Sequence, residues 1–277
     1  MKWIVFYILL LVFSNSLYSQ SDTSKYSFNG QFVKSCFTDL SNVVSSPVKW
    51  DGNQWISAGM IIAGTGLIYS QDQFFHDLTQ RNQTKGLDNI CKNFIEPWGS
   101  GVYSIPAMGA LYCLGAFTSD QKEKKVALNA VKAFGIAGIV VLVPKYFIGR
   151  ERPYEENGFA KPSSFKGPFM NYHASFPSGH TIGAFSLFTV IAESYKDKPI
   201  VVFTSYSLAT LVGISRIYNN DHWASDVFFG AALGYGIGKL VVKNMNKPSN
   251  KIKANISLAP NYTGISMSYN IKYNNTK

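Results

Sequence analysis

The sequence predicts an all-α protein, a bundle of about six mostly apolar helices followed by a short C-terminal β-hairpin. Of its 277 residues, 46% are hydrophobic and only 15% are charged, which lies on the apolar side of globular composition and excludes a disordered chain. Polar loops separate six apolar stretches of about helix length. These stretches lie near 54–70, 101–118, 126–148, 181–195, 199–218 and 225–242.

Residues 1–19 are predicted to be a signal peptide. Met1 and Lys2 precede an apolar run from Trp3 to Phe13, and small and polar residues follow up to Ser19. The run is shorter than the roughly 20 residues that a membrane span needs. We therefore expect export with cleavage near Ser19; an uncleaved anchoring helix is the alternative.

Segment 20–53 is predicted to contain a short amphipathic helix. Its apolar residues recur at helical spacing before Pro47. They are Phe32, Cys36, Phe37, Leu40, Val43 and Val44. This helix should dock its apolar face on the bundle or on a partner.

The helical bundle is assigned to residues 54–245. Small residues between Gly230 and Gly238 favour close helix contacts of the kind found in membranes. A soluble helical core is the alternative, because Lys132 and Lys239 interrupt two of the stretches.

The predicted orientation contains a conflict. Basic segments 122–125 and 196–198 would lie inside, which places loops 145–180 and 215–226 outside. An exported chain with six complete spans would have the reverse orientation. Either one stretch, most simply 54–70, does not span, or the protein is not integral to the membrane.

The tail, 246–277, changes to strand periodicity. Alternating apolar residues run from Ile252 to Leu258 and from Ile265 to Tyr273, on either side of a turn at Asn261–Gly264. This pattern predicts a hairpin with a structural role.

Charge and cysteine usage restrict the partners. The net charge is +10, but the cations are scattered rather than gathered into a stripe with aromatics, which argues against nucleic acid. A small anionic substrate or an anionic membrane surface fits better. Cys36, Cys91 and Cys113 lack metal-ligand spacing with one another or with a histidine, and no cofactor is expected. A Cys36–Cys91 disulfide stays open, and nothing indicates an oligomeric state.

The first polar motif runs from Lys145 to Pro153. Lys145 and Arg152 are seven residues apart, two helical turns, so they would point the same way if the helix continues and Pro153 ends it. Two cations on one side can clamp an anion. Alone, the motif is typical of a solvated helix end.

The second motif, Pro177-Ser178-Gly179-His180-Thr181, opens an apolar helix. A hydroxyl and unobstructed amides at a helix N-terminus favour a bound phosphate. His180 would then lie beside the anion, although a capping histidine is an equal alternative.

The third motif places Ser215-Arg216 five residues before His222, and Asp226 four residues after it. On a helix, the Asp226 carboxylate can reach one imidazole nitrogen and leave the other as a lone pair for attack. A surface ion pair is the alternative for this motif alone. Together, however, the three motifs supply what phosphoryl transfer needs: cations, a nucleophile and an acid.

The three motifs and their order resemble those of the type 2 phosphatidic acid phosphatase and vanadium haloperoxidase superfamily. The matching pattern is Lys, six residues and Arg-Pro, then Pro-Ser-Gly-His, then Ser-Arg, five residues, His, three residues and Asp. The resemblance covers about residues 100–242. It implies a helical bundle in which His222 attacks phosphorus and Asp226 orients it, while His180 protonates the leaving oxygen and then activates water. It further implies a metal-free reaction in which five residues hold the phosphate oxygens: Lys145, Arg152, Ser178, Gly179 and Arg216.

The expected function is therefore hydrolysis of a lipid phosphate monoester or diphosphate at a membrane, with a periplasm-facing site. A soluble periplasmic acid phosphatase of broad specificity is the nearest alternative. A vanadium haloperoxidase and a catalytically idle membrane scaffold are the others.

Overall fold

The computed structural model describes residues 27–154, 161–168 and 174–246, together with the backbone of 252–261 and 264–273. The signal peptide predicted for residues 1–19 lies outside these ranges. The chain divides into two compact units, Met1–Val242 and Lys243–Lys277.

The regular secondary structure in the described part of the first unit is helical, apart from an isolated bridge between Arg150 and Phe165. In chain order, its helices are α1 (Gly30–Val44), α2 (Gly52–Tyr69), α3 (Asp72–Arg81), α4 (Lys85–Ile90), α5 (Glu96–Gly99), α6 (Ser104–Phe117), α7 (Gln121–Val140), α8 (Leu142–Ile148), α9 (Gly179–Ser194), α10 (Pro199–Tyr218) and α11 (Ala224–Met245), the last of which runs on into the second unit. A 3-10 turn occupies Ser46–Lys49, and a π-helical turn occupies Cys91–Ile95.

The predicted number of about six helices is wrong. The described ranges contain nine α-helices of seven residues or more, including the amphipathic helix α1. Helix α1 was predicted separately from the six, and two further helices explain the rest of the difference. The apolar stretch 126–148 is divided between α7 and α8 at Val141, and the polar segment after 70 forms α3. Both are short or interrupted elements, which apolar periodicity detects poorly.

The helix carrying Lys145 also ends earlier than predicted. Helix α8 stops at Ile148, and Gly149 caps it in the left-handed conformation with φ = 56°. A Cβ at Gly149 would also collide with the carbonyl oxygen of Gly167. Arg152 therefore lies in the following loop, and the predicted two-turn helical spacing from Lys145 does not exist.

Helix α9 lies at the centre of the bundle. Most of its residues from Thr181 to Ala192 are buried, and it packs along both α7 and α10. Helix α11 crosses it closely: a Cβ at Gly234 would meet the backbone of Ile182, and one at Gly238 would meet Ser186 and Thr189. The predicted close contacts through small residues are present here. They hold the middle of α11 close against the first three turns of α9.

Several helices are long and apolar enough to cross a membrane. Within the described ranges these are Gln121–Ile148, Pro199–Tyr218 and Ala224–Met245, with Lys85–Gly99 and Ser104–Phe117 as a bent pair that could form a fourth. Large apolar side chains are also exposed, such as Leu67 and Phe203, each 72% accessible. Such a surface is unusual for a soluble monomer and suits a membrane protein.

The second unit contains two antiparallel segments, β1 (Ile252–Asn261) and β2 (Gly264–Tyr273), with Ile256 opposite Tyr269. The side chains of this region lie outside the described part, so the predicted packing of one apolar face stays a prediction. All three cysteines are free, so the open Cys36–Cys91 pairing is not formed.

Candidate active site

The fold brings the three polar motifs together. The backbone N–H of Ser178 donates to the carbonyl oxygen of Asp226 at 3.1 Å, which joins the start of α9 to the start of α11. The Lys145 ammonium donates to the carbonyl oxygen of Ala174, in the loop that leads into α9. All eight predicted site residues meet in this region: Lys145, Arg152, Ser178, Gly179, His180, Arg216, His222 and Asp226.

His222 lies in the short loop between α10 and α11 and is 2% exposed. Its backbone N–H donates to the carbonyl oxygen of Arg216 at 3.2 Å, which ties the loop to the end of α10. Burial, and then the positive charges of Lys145, Arg152 and Arg216, hold the pKa of His222 well below its usual value. Its imidazole is therefore neutral at physiological pH, as a nitrogen nucleophile must be.

Asp226 is fully buried, and its carboxylate is held on both oxygens. Oδ1 accepts a hydrogen bond from Arg150 Nη1 at 2.6 Å. Oδ2 accepts from the backbone N–H of Trp223 at 3.0 Å and from the Ser175 hydroxyl at 2.5 Å. The distance from Oδ2 to His222 Nδ1 is 3.8 Å, too long for a direct hydrogen bond.

His180 lies in the first turn of α9 and faces the cations. Burial and the charges of Arg216, Arg152 and Lys145 lower its pKa to about 3. Gly99 packs directly against it, since a Cβ there would lie 3.0 Å from His180 Cβ. The imidazole of His180 is consequently neutral at physiological pH, and a bound phosphate would raise its pKa by offsetting those positive charges.

Two carboxylates contact the arginines of the site. Arg216 Nη1 lies 2.9 Å from Glu96 Oε1, and its Nη2 lies 2.8 Å from Asp221 Oδ2. Arg152 Nη1 is 3.8 Å from the other oxygen of Asp221. Glu96 Oε1 also approaches His180 Nε2 at 3.9 Å. Neither acid was among the site residues predicted from the sequence.

The start of α9 presents a helix N-terminus to the cations. Ser178 is its N-cap residue and makes no side-chain capping bond, although its hydroxyl oxygen accepts from the Thr181 hydroxyl at 2.9 Å. A Cβ at Gly179 would be 4.0 Å from its nearest neighbour, Val141, so the backbone here is open. Amides in this position can donate to phosphate oxygens.

Behind the site lies a buried polar network that the sequence did not reveal. Arg150 Nη2 lies 2.6 Å from Asp72 Oδ2, while its Nη1 contacts both Asp226 and Ser225. Ser225 closes the network by donating to Asp72 from its backbone and its hydroxyl, at 2.8 and 2.6 Å. Arg150 stood in the first motif as one of several basic residues. Nothing in the sequence indicated that Asp72 belongs to the site, because Asp72 is far from the three motifs along the chain.

The donor set of the site suits an anion. Among the described residues, no group of three or more His, Cys, Asp or Glu side chains could hold a metal ion. Cationic and N–H donors surround His222 instead, and a tetrahedral or trigonal-bipyramidal oxyanion matches them.

Comparison with known proteins identifies the family. A model of the PAP2 superfamily matches residues 126–249. Phosphatidylglycerophosphatase B of Bacillus subtilis is 35% identical over 155 residues, which are 50% of this chain and 71% of that protein. The chain belongs to the PAP2 superfamily.

Other relatives agree with this assignment to PAP2. Lipid A 1-phosphatase of Porphyromonas gingivalis is 37% identical over 139 residues, 49% of this chain, but the match spans only 28% of that longer protein. The crystal structure of a transmembrane PAP2-type phosphatidylglycerolphosphate phosphatase from Bacillus subtilis matches with a TM-score of 0.51 at 22% identity, covering 78% of this chain and 98% of that one. That likeness bears on the fold alone.

The PAP2 match also separates two parts of the site. All eight predicted site residues fall within 126–249, whereas Asp72 and Glu96 precede it. This PAP2 chain therefore completes its pocket with residues from outside the matched segment.

Proposed function

We propose that this chain is a metal-independent phosphatase that removes phosphate from a phosphorylated lipid through a phosphohistidine at His222. The observation that carries the proposal is the environment of His222: a buried imidazole whose pKa is lowered by burial and by the charges of Lys145, Arg152 and Arg216. No structural requirement of a helical bundle explains three cations around one buried histidine.

In the first step, the Nε2 lone pair of His222 attacks phosphorus, and the bond from phosphorus to the leaving oxygen breaks. His222 Nδ1 is engaged by Ser175 at 3.3 Å, so Nε2 is the nitrogen left for attack. His180, protonated once the phosphate anion has raised its pKa, gives its proton to the leaving oxygen.

In the second step, His180 takes a proton from water. The water oxygen attacks phosphorus, the phosphorus–nitrogen bond breaks, and inorganic phosphate leaves with His222 restored as the free imidazole. The two roles of His180 require it to bind and release one proton per turnover. His180 can do both because the charge of the bound phosphate sets its pKa.

Three cations would stabilise the equatorial oxygens of the transition state, where charge is spread. Arg216 is suited to this role because its Nε is buried and has no hydrogen-bond partner in the part of the chain that the structure describes. Lys145, Arg152, the Ser178 hydroxyl and the Gly179 amide would complete the donor set. Their convergence in the fold supports these assignments.

A lipid substrate is supported by the relatives and by the outer surface of the bundle. The relatives act, by name, on lipid A and phosphatidylglycerophosphate. Exposed apolar side chains and three or four candidate spans would place the pocket beside acyl chains. The exported, periplasm-facing setting rests on the leader predicted at 1–19 and the basic loops, and the tail hairpin contributes no catalytic group to this proposal.

The decisive experiment measures phosphate release by the purified protein from a panel of lipid A, phosphatidylglycerophosphate, phosphatidic acid and a polyprenyl diphosphate, alongside water-soluble monoesters. The wild type should act on at least one lipid, and His222→Ala should lose activity by several orders of magnitude. Full activity of His222→Ala would overturn the mechanism. Preference for soluble esters, together with release of the protein into a detergent-free soluble fraction, would overturn the lipid assignment.

A further inference from the structure

Ser175 contacts both His222 and Asp226, the predicted nucleophile and its partner. It is fully buried in the loop that precedes α9. Its hydroxyl oxygen lies 2.5 Å from Asp226 Oδ2 and 3.3 Å from His222 Nδ1. The third motif predicted direct contact of Asp226 with His222, but the 3.8 Å between Asp226 Oδ2 and His222 Nδ1 is too long for a hydrogen bond, and the Ser175 hydroxyl bridges the two side chains instead.

The direction of the hydrogen bonds at Ser175 follows from the chemistry of its neighbours. An ionised carboxylate only accepts, so the Ser175 hydroxyl must donate its one hydrogen to Asp226. The oxygen lone pairs of Ser175 then face His222 Nδ1, which must carry a hydrogen to bond them. This arrangement selects the tautomer of His222 whose lone pair is on Nε2.

Asp226 is not able to rotate freely toward His222. One carboxylate oxygen is bound by Arg150, and the other already accepts from the Trp223 backbone as well as from Ser175. Its backbone carbonyl is bound by the Ser178 N–H, which fixes the start of α11. A direct bond to His222 would break part of this arrangement in a buried site, where lost hydrogen bonds are costly.

Ser175 itself is also held. Its backbone N–H donates to the carbonyl oxygen of Arg150 at 2.7 Å, which joins the loop before α9 to the segment that carries the arginine. The hydroxyl is thus placed by the same residue that anchors the carboxylate. Ser175 and Asp226 are therefore both positioned by Arg150.

Building on the proposed function, we propose that Ser175 is a positioning residue that transmits the effect of Asp226 to His222. Its hydroxyl accepts the Nδ1 hydrogen of His222 and is itself polarised by its hydrogen bond to Asp226. The polarised hydroxyl stabilises the positive charge that develops on the imidazole during attack on phosphorus. Ser175 does not touch the substrate. It keeps Nε2 unprotonated and oriented for attack.

A double-mutant cycle on the purified enzyme tests this inference. Ser175→Ala should lower kcat roughly tenfold, the cost of one buried hydrogen bond, with little change in KM. Asp226→Asn should have a much smaller effect in the Ser175→Ala background than in the wild type, because the link is already broken. Additive losses, or full activity of Ser175→Ala, would overturn the proposal.

Two further variants separate positioning from folding. Ser186→Ala removes another buried serine hydroxyl, bonded 2.9 Å from the carbonyl oxygen of Gly183 in α9, and should keep wild-type kcat. Ser175→Cys retains a weak donor and acceptor of similar size and should fall between the wild type and Ser175→Ala. If Ser175→Cys kept wild-type kcat while Ser175→Ala lost activity, the space that the side chain fills, and not its hydrogen bond, would be the cause.

Rapid-quench trapping distinguishes failure of this inference from failure of the proposed function. The wild type should accumulate an acid-labile, alkali-stable phosphoenzyme, and Ser175→Ala should form it about tenfold more slowly. A wild type without phosphohistidine would reject the proposed mechanism. Equal rates of phosphoenzyme formation in the two proteins would reject only the role of Ser175.

Discussion

Arg150 and Asp72 form a fully buried ion pair, with 2.6 Å between Nη2 and Oδ2. Asp72 begins α3, more than 50 residues before the segment that matches the PAP2 model, whereas Arg150 lies within it. Through its other amino group, Arg150 binds the carboxylate of Asp226. The pair therefore connects helix α3 to the start of α11.

Arg150→Met should lower the free energy of unfolding more than removal of an exposed ion pair does. Loss of the guanidinium leaves Asp72 and Asp226 buried without their shared counter-charge, which typically costs about 3–5 kcal/mol in unfolding free energy. Thermal or denaturant unfolding in detergent micelles measures this effect.

Lys239→Met provides the matched control for Arg150→Met. Lys239 Nζ lies 3.0 Å from Glu193 Oε1 in an ion pair whose lysine side chain is 45% exposed. Exposed pairs contribute about 0–1 kcal/mol. If the two variants lost equal stability, Arg150 would not have the structural role assigned to it.

The residues that could be predicted from the sequence are those whose roles follow from short-range spacing. Ser178 and His180 lie within one turn at a helix start, and His222 lies just before α11 while Asp226 lies in its first turn, so short spacing along the chain already keeps each pair close. Ser175, Asp72 and Glu96 acquire their positions from tertiary packing between distant helices, which no local pattern encodes. Arg150 was visible in the first motif, but its partners were not.

One local inference failed for a local reason. The spacing from Lys145 to Arg152 assumed a continuous helix, but Gly149 ends α8 with a positive φ. The two cations still act together on His222. The two cations reach the same pocket without the predicted helical geometry, because a tight turn also returns the chain to the pocket, and their binding of phosphate stays a prediction.

Gly149→Ala should reduce both stability and activity. The left-handed backbone costs about 1 kcal/mol for a residue with a Cβ, and collision with the Gly167 carbonyl adds to this cost. The shift should displace Arg152 and raise KM. Melting temperature and steady-state kinetics measure the two effects.

Gly138→Ala serves as the comparison for Gly149→Ala. Gly138 lies within helix α7, and a Cβ there meets nothing within 4 Å. Alanine is the better helix former by about 1 kcal/mol, so this variant should be as stable as the wild type or slightly more so. Equal damage from both alanines would mean that the turn at Gly149 tolerates a side chain.

Asp221→Asn should strengthen inhibition by inorganic phosphate and vanadate. Asp221 is 2.8 Å from Arg216, and as an anion it opposes binding of another anion at the same guanidinium. Removing its charge should lower the inhibition constant by roughly three- to tenfold, which corresponds to about 1 kcal/mol at a partly screened site. Glu193→Gln, which neutralises a carboxylate paired with Lys239 outside the pocket, should leave the constant unchanged. Weaker inhibition of Asp221→Asn would show instead that Asp221 chiefly orients Arg216.

The two histidines should make the folded protein sensitive to mild acid. Folding lowers the pKa of His180 to about 3 and that of His222 well below its usual value, whereas both titrate near 6.5 when unfolded. Above pH 6.5 the imidazoles are neutral in both states and contribute no pH dependence. As the pH falls below 6.5, the unfolded chain binds protons that the folded chain does not, so stability declines, by up to about 1.4 kcal/mol per pH unit for each imidazole.

This decline is isolated by comparing unfolding at pH 7.5 and pH 5 in the wild type and in His180→Gln/His222→Gln. The variant should lose less stability between the two pH values, because other titrating groups, including Asp72 with its raised pKa, are common to both proteins. Vanadate should also reduce the loss in the wild type, since a bound anion offsets the cations that depress both pKa values. Identical pH dependence in the wild type and the double variant would mean that His180 and His222 are not neutral in the folded site, and would remove the electrostatic basis for nucleophilic attack by His222.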